Sequence, residues 1–185
     1  MLTKEIYEKA RQRAIEYLDK AGVVITDEEK GLMQVAEYAL DDIDNIGLEL
    51  VVYVNTLRCC AKELILFPGQ TCPEHRHPPI GDSPGKEETF RCRWGEVYLY
   101  VAEDQNAPIG IAPRGTVPKG YEEYFTCNKE IILRPGEQYT ILPDTLHWFQ
   151  SGPEGAVVSE FSTQSRDDAD IYTDPRISAS QARLV

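Results

Sequence analysis

The feature of this sequence that most constrains its fold is a series of short β-rich runs between residues 48 and 162. β-Branched, leucine and aromatic residues fill the runs, and residues that favour turns, chiefly Gly, Pro, Asn and Asp, separate them. Short runs at short intervals, without a helical pattern between them, indicate an antiparallel sandwich or barrel. The runs are LELVVYV, AKELILF, EVYLYVA, EIILR, QYTIL and AVVSEFS.

Two helical segments are predicted before the first strand. Apolar residues at every fourth position indicate an amphipathic helix that ends near Gly22; they are Ile6, Ala10, Ala14 and Leu18. Thr26 precedes Glu29 by three residues, which is the capping-box arrangement in which each side chain accepts a hydrogen bond from the other residue's backbone N–H. The sequence therefore predicts a second helix from about residue 27 to 41, and both helices would cover an apolar surface of the strands.

The length and composition are those of one globular domain. A chain of 185 residues with 42% hydrophobic and 27% charged residues is long enough to bury one sizeable core. We expect a helical extension at residues 1–45, a β-barrel at 46–165 and a polar C-terminal tail at 166–185 that runs over the surface.

Charge and cysteine pattern restrict the partners and the compartment. The formal net charge of -12 argues against binding to nucleic acid or to an anionic membrane surface. The chain contains no run of eighteen apolar residues and no secretory signal pattern at its start, so a cytoplasmic protein is predicted. The five cysteines are odd in number and lack a Cys-x-x-Cys pair, which favours reduced thiols.

Two of the chain's three histidines, His75 and His77, lie one residue apart. Because side chains alternate between the faces of a strand, both imidazoles would point to the same side. Glu88 follows a turn rich in Pro and Gly, and His147 follows a strand and a Pro-Asp turn. These residues could complete a four-ligand set for a divalent ion, with two positions open for a substrate. A polar surface strand is the alternative, and the histidine pair alone does not decide between them.

The spacing around the histidine pair resembles the first sequence motif of the cupin superfamily, G-x5-HxH-x3/4-E-x6-G. Gly69, Glu88 and Gly95 fit this pattern, except that ten residues instead of three or four precede Glu88. The second cupin motif is matched only in part, at Gly136 and His147.

Three segments together resemble the D-lyxose isomerase family, a group of cupin sugar isomerases in which the longer spacer is also found. The segments are CPEHRHPPIGDSPGKEETFRCRWGEVYLYV, LPDTLHWFQSG and VVSEFSTQSRDDADIYTDPRI. The resemblance covers roughly residues 48 to 178. It implies a mostly β cupin fold, a double-stranded β-helix or jelly-roll barrel, with N-terminal α-helices, and a homodimer.

The resemblance also implies roles for individual residues. Lys86 corresponds to the family's catalytic or substrate-contacting lysine, and Glu160 to its late acidic catalytic residue. The usual ion is Mn²⁺, with Co²⁺, Zn²⁺, Fe²⁺ or Ni²⁺ as alternatives. The metal ligands would be His75, His77, Glu88 and His147.

Interconversion of an aldose and a ketose moves a proton between neighbouring carbons through a cis-enediol. A carboxylate that reaches both carbons from one face can do this, and we assign that role to Glu160. Lys86 would protonate or stabilise the substrate oxygen, or assist ring opening. Two alternatives stay open: Glu160 could lie on the solvent face of an edge strand, and a metal-assisted hydride shift would use the same ligands.

Three functions therefore compete. The first is a metal-dependent isomerase that interconverts D-lyxose and D-xylulose, with D-mannose and D-fructose as a second pair. The others are a cupin Fe-dependent dioxygenase and a non-catalytic sugar-binding cupin, neither of which needs Lys86 or Glu160. Four aromatic residues could form a stacking wall for a sugar, although packing in the core is more common; they are Trp94, Tyr98, Tyr100 and Trp148.

Overall fold

The strands of the described chain form one antiparallel sheet. The computed structural model describes residues 2–102 and 114–177, and the nine strands named here lie within those ranges. The helices are α1 (Lys4–Lys20) and α2 (Asp27–Gly31), with short 3-10 helices at Glu122–Tyr124 and Asp167–Ala169. The strands are β1 (Gln34–Ala36), β2 (Leu48–Asn55), β3 (Cys60–Leu66), β4 (Thr71–Arg76), β5 (Glu88–Val101), β6 (Lys129–Leu133), β7 (Gln138–Ile141), β8 (His147–Ser162) and β9 (Ile171–Tyr172).

The long strands β5 and β8 organise the sheet. They pair from Glu88 opposite Ser162 to Val101 opposite His147. The first part of β8 also pairs with β4 and its later part with β3, while β5 pairs first with β7 and then with β6. Each long strand therefore belongs to two sides of the structure, and the sheet curls between them. The predicted mostly β fold is confirmed, with the curled sheet of a cupin.

Gly95 of β5 pairs with Ala156 of β8 and lies against the neighbouring Gly155. Both glycines have positive φ, 74° and 90°, a conformation that other residues rarely adopt. A Cβ atom on Gly95 would lie 2.0 Å from the carbonyl oxygen of Gly155. Register shifts between Cys92 and Trp94 and after Gly95 lie at the same place. Gly95 therefore ends the first motif because a side chain would collide with the opposite strand.

Helix α1 covers the outer face of the barrel. Ala10, Ala14 and Leu18 are buried against strand residues such as Val157, as the fourfold spacing predicted. Ile6, the first member of the series, is 40% exposed. A second, larger cluster of apolar side chains fills the barrel interior.

The prediction of a helix from residue 27 to 41 was wrong beyond Gly31. The capping box is present, but α2 ends at Gly31 and the next residues form β1, which pairs with β2. Val35 and Ala36 are fully buried in this strand, so burial against the barrel outweighs the local helical signal. Tyr38 and Ala39 then adopt positive φ, which a right-handed helix does not contain.

The C-terminal tail runs back to the strand that carries the histidine pair. Strand β9 pairs with β4, with Tyr172 opposite His75 and Ile171 opposite Arg76. The tail was predicted for residues 166–185, of which residues 178–185 lie outside the described residues. The five cysteines are free, as predicted. Within the described ranges, no helix is both long enough and apolar enough to cross a membrane.

Candidate active site

Two strand ends, the end of β4 and the start of β8, bring the histidines together. His75 on β4 lies opposite His147 on β8 in the antiparallel pairing, and His77 follows one residue after β4. The ring centroids are 4.4 to 5.4 Å apart, and one ligand nitrogen from each ring lies within 4.8 Å of the other two. All three rings are buried. The alternative of a polar surface strand is wrong for this histidine pair.

Glu88, the fourth predicted ligand, joins this cluster. Its Oε1 atom lies 3.0 Å from Nε2 of His77 and 3.1 Å from Nε2 of His147. The ten-residue spacer can return here because Gly85, with a φ of 106°, packs against the backbone of His77. A Cβ atom on Gly85 would lie 2.4 Å from the carbonyl oxygen of His77. The long spacer therefore still places Glu88 beside the histidines.

The hydrogen bonds of the imidazoles leave each Nε2 directed at the centre. The Nδ1 atoms of His75 and His147 donate to the carbonyl oxygens of Pro73 and Thr145, at 2.8 and 2.9 Å. Since Nδ1 carries the proton, Nε2 presents its lone pair, as a metal ligand does. Nε2 of His147 is fully buried and has no hydrogen-bond partner of suitable geometry among the described residues. An unpartnered buried nitrogen beside two imidazoles and a carboxylate fits a divalent metal ion.

Electrostatics favours neutral imidazole at His75 and an ionised carboxylate at Glu88. Burial lowers the pKa of His75 well below its usual range, and the neighbouring His147 and His77 add to this effect. Burial alone would raise the pKa of Glu88, but the charges of Lys86 and His77 outweigh it and hold that pKa well below its usual range. At His75 and Glu88 these are the protonation states that metal binding requires. At His77, burial and Lys86 lower the pKa, but Glu88 and Asp170 outweigh them and raise it to about 9, so a metal ion would displace a proton there.

Lys86 links Glu88, a predicted metal ligand, to Glu160, the predicted base. Its Nζ lies 2.7 Å from Oε2 of Glu88 and 3.2 Å from Oε1 of Glu160. Burial tends to lower the pKa of Lys86, but Glu160 and Glu88 outweigh it and raise that pKa well above its usual range. Lys86 is therefore a buried cation between two buried carboxylates.

Glu160 faces the inside of the barrel and is 3% exposed, so the solvent-face alternative is wrong. Its Oε1 accepts hydrogen bonds from Nζ of Lys86 and from Oγ of Ser162, at 3.2 and 2.9 Å. In the part of the chain that the structure describes, no hydrogen bond or ion pair to Oε2 is found. One oxygen is thus anchored, and the other is available to a bound molecule.

Sequence analysis missed Lys62, a second lysine at this site. Lys62 on β3 lies opposite Glu160 in the pairing with β8 and is 3% exposed. Its Nζ lies 2.8 Å from Oγ of Ser165, 3.0 Å from Oδ2 of Asp167 and 3.9 Å from Oε1 of Glu160. The sequence does contain a signal for Lys62. It is a charged residue on the face of this strand that otherwise carries Cys60 and the leucines of AKELILF.

Most of these groups line one cavity inside the barrel; they are Lys62, His75, His77, Lys86, Glu88 and Glu160. Its aromatic wall includes Tyr38 and Tyr172, and the Tyr172 ring stacks on His75 with centroids 5.4 Å apart. None of the four aromatic residues considered as a sugar-stacking wall lines this cavity. Tyr100 and Trp148, for example, stack on each other at 3.8 Å in a separate buried cluster. Tyr38 and Tyr172 come from segments before β2 and after β8, which the sequence pattern did not connect with the site.

Comparisons with known proteins agree with this geometry. The sequence profile of D-lyxose isomerases matches residues 13–181. Two curated relatives are each 58% identical over 177 residues, with 96% of both chains covered: the D-lyxose ketol-isomerase of Thermofilum sp. (strain ex4484_79) and the D-lyxose/D-mannose isomerase of Thermosediminibacter oceani. The structure of Acinetobacter sp. DL28 L-ribose isomerase in complex with L-ribose has a TM-score of 0.81 at 17% identity, and the match covers 100% of this chain and 97% of that one.

The matches separate the three competing functions. The structural match shows a shared fold, and the sequence matches extend over nearly the whole chain. Neither the dioxygenase nor the non-catalytic sugar-binding protein is favoured by them. The histidine cluster could hold a divalent metal ion. This chain belongs to the D-lyxose isomerase family, and it is an aldose–ketose isomerase that acts on a sugar.

Proposed function

We propose that this isomerase interconverts D-lyxose and D-xylulose, and as a second pair D-mannose and D-fructose, through a cis-enediol. The observation that carries the proposal is the position of Glu160, a buried carboxylate that lines the same cavity as His75, His77 and Glu88. Isomerisation needs a base beside the group that polarises the carbonyl. The names of the two relatives at 58% identity support the choice of sugars.

The proposed metal ligands are the three histidines and Glu88. Three imidazoles and one carboxylate suit Mn²⁺, which we propose as the ion, and also Co²⁺, Zn²⁺, Fe²⁺ or Ni²⁺. The buried and unpartnered Nε2 of His147 supports a metal at this position. When bound, such an ion supplies Lewis-acid polarisation of the substrate carbonyl and stabilises the negative charge that develops on its oxygen.

Glu160 is the proposed general base. Because Lys86 and Ser162 hold Oε1, the orientation of the carboxylate is fixed and Oε2 faces the substrate. Oε2 takes the proton from C2 of the aldose and returns it to C1, which lies on the same face of the cis-enediol. One carboxylate can therefore serve both half-reactions.

Lys86 is proposed to act on the substrate oxygens. It keeps its proton in this cavity because carboxylates surround it. Its contacts with Glu88 and Glu160 occupy two of the three N–H groups of the ammonium. The third N–H can donate to the oxygen on which negative charge develops.

The proposed sugars share one reacting end. D-Lyxose and D-mannose have the same configuration at C2, C3 and C4, and they differ by the hydroxymethyl group at C6. Lys62 and Asp167 line the same cavity and are proposed to bind hydroxyl groups beyond C2. The space near these two residues would decide how well the longer sugar is accepted.

The test uses metal-stripped protein that receives Mn²⁺ without oxygen. We expect D-lyxose to be converted to D-xylulose, measured by chromatography, with D-mannose conversion measured in parallel. In D₂O, deuterium at C1 of the ketose supports the cis-enediol, whereas complete retention of the substrate hydrogen supports the hydride shift. A strict requirement for O₂ would contradict the proposed isomerase.

A substitution at Glu160 tests the base directly. We expect Glu160→Gln to lower kcat by about 10²- to 10⁴-fold, because the amide cannot accept the proton. Mn²⁺ affinity, measured by calorimetric titration, should change little. Glu154→Gln is the matched control, because Glu154 is an exposed carboxylate on the same strand. Turnover retained in Glu160→Gln would refute the role of Glu160.

The proposal includes a homodimer in the cytoplasm. Exposed apolar side chains near the β7–β5–β8 surface support a second copy there; Leu142 is 63% and Phe161 51% exposed. Light scattering after size-exclusion chromatography should give twice the mass of 20.9 kDa. A mass of one chain at micromolar concentration would contradict the homodimer.

A further inference from the structure

A segment after β8 contacts the end of β4, the strand that carries His75. We name residues 165–174 the C-terminal strap. Its strand β9 pairs with β4, and the backbone N–H of Thr173 donates to the carbonyl oxygen of Glu74 at 3.0 Å. The strap therefore lies against residues 74–76, directly before His77.

The strap provides the hydrogen-bond partner of one proposed metal ligand. Nδ1 of His77 lies 2.5 Å from Oδ1 of Asp170, whose side chain is 4% exposed. His75 and His147 use carbonyl oxygens for the same purpose, so His77 differs from them in having a carboxylate. A carboxylate at this position fixes the ring orientation and increases the basicity of the ligating nitrogen.

The strap is anchored by hydrogen bonds both before and after Asp170 in the sequence. On one side, Nζ of Lys62 donates to Ser165 and Asp167 at the start of the strap. On the other side, Oε1 of Glu74 accepts from Oγ1 of Thr173 at 2.7 Å. Because both ends of the strap are held, Asp170 stays in register with His77.

Glu74 also connects the strap to the loop before β6. Its Oε2 accepts hydrogen bonds from the backbone N–H groups of Thr126 and Cys127, at 2.6 and 2.7 Å. Tyr172 adds an aromatic contact, since its ring stacks on His75. Two of the three histidines are thus in contact with the strap.

We propose that Asp170 is a positioning residue of the metal centre, and that docking of the C-terminal strap and binding of the metal stabilise each other. The inference rests on the proposed metal site. Asp170 acts through its contact with His77. The primary effect of its removal is therefore weaker metal binding, and any effect on the reaction follows from that. Linkage requires the reverse effect as well: bound metal must stabilise the docked strap.

Asp170→Asn tests the first half. We expect Mn²⁺ affinity, measured by calorimetric titration, to fall by about 10- to 100-fold with little change in the thermal midpoint of the metal-free protein. Asp170→Glu should recover part of the affinity, because it restores a carboxylate. Asp168→Asn is the matched control, since Asp168 is an exposed carboxylate in the same strap. Equal Mn²⁺ affinity in Asp170→Asn and the unaltered protein would overturn the role of Asp170.

Hydrogen exchange in the unaltered protein tests the second half and needs no variant to fold. Amides of residues 165–174 should exchange more slowly after Mn²⁺ is added, while those of α1 should not change. Unchanged exchange in the strap would overturn the coupling. If the unaltered protein binds no Mn²⁺, the proposed function fails; if it binds Mn²⁺ and both tests give no difference, only this inference fails.

Discussion

The inner and outer faces of one wall of the barrel both carry buried carboxylates in different electrostatic surroundings. On the inner face, Oε1 of Glu160 lies 3.2 Å from Nζ of Lys86 and 3.9 Å from Nζ of Lys62. On the outer face of the same wall, Glu49 and Glu63 are also buried. Each has one oxygen without a hydrogen-bond partner among the described residues.

The consequence is a difference in protonation. Burial raises the pKa of Glu49 well above its usual range, although a hydrogen bond from Gln70 opposes the shift. Burial also raises the pKa of Glu63, against the effect of a hydrogen bond from Ser159. Burial therefore favours the neutral acid at both outer carboxyls, whereas on the inner face the charges of Lys86 and His77 outweigh burial and hold the pKa of Glu88 well below its usual range. A neighbouring cation, more than depth of burial, decides in which direction the pKa of a buried carboxyl shifts.

The largest effect on stability is expected from removal of Lys86, the cation that Glu88 and Glu160 share. We expect Lys86→Met to lower the free energy of unfolding of the metal-free protein by about 3–5 kcal/mol, because buried carboxylates lose their counter-charge. Urea unfolding of the metal-free protein measures the change. Lys119→Met is the control, since Lys119 is exposed. Equal loss in both variants, or none in Lys86→Met, would contradict the ion-pair interpretation.

A smaller effect is expected at Glu49, and its sign depends on pH. Because the folded-state pKa is raised, Glu49 stabilises the fold below the unfolded pKa, near 4.5, and this contribution is lost as pH rises toward the folded pKa. Glu49→Gln has no proton to lose. Relative to the unaltered protein, it should therefore gain stability as the pH rises above 4.5. Unfolding curves at several pH values test this; parallel pH profiles would show that Glu49 is ionised when folded.

The smallest effect is expected at Ser159, whose Oγ donates to Oε1 of Glu63 at 2.7 Å. Ser159→Ala should destabilise the protein by about 1 kcal/mol, because a buried carboxyl loses its donor. Ser162→Ala makes the same change beside Glu160 on the inner face, where two lysines remain. Because Lys62 and Lys86 still contact Glu160, Ser162→Ala should cost less stability than Ser159→Ala. A greater loss in Ser162→Ala would contradict this stabilisation of Glu160 by the two lysines.

The sequence predicted those parts of the fold and site whose signals are local. Strands appear as β-rich runs, and the histidine pair was predicted to lie on a strand; the structure places His75 on β4 and His77 directly after it. The position of Glu88 was predictable from the family resemblance. Only the structure shows why the ten-residue spacer can bring Glu88 back to the histidines, which is the close packing of Gly85 against His77.

Other parts depend on contacts between distant segments. Nothing near Lys62 indicates that it lies opposite Glu160, because strand order places them together. Asp170 lies in a polar stretch that has the composition of a surface tail, yet it contacts a proposed metal ligand. The capping box predicted a long second helix because local rules do not include the pairing of β1 with β2.

The curl of β8 determines how the proposed chemistry depends on chain length. His147 begins this strand and Glu160 lies near its end. A straight strand would separate them by about 43 Å, yet Glu88 contacts His147 and shares Lys86 with Glu160. The length of β8 therefore determines which side chains reach the cavity. A single inserted or deleted residue would turn every later side chain of the strand to the opposite face. Changes of substrate preference should be sought by substitution at the cavity wall, because changes in the length of β8 would separate the base from the metal ligands.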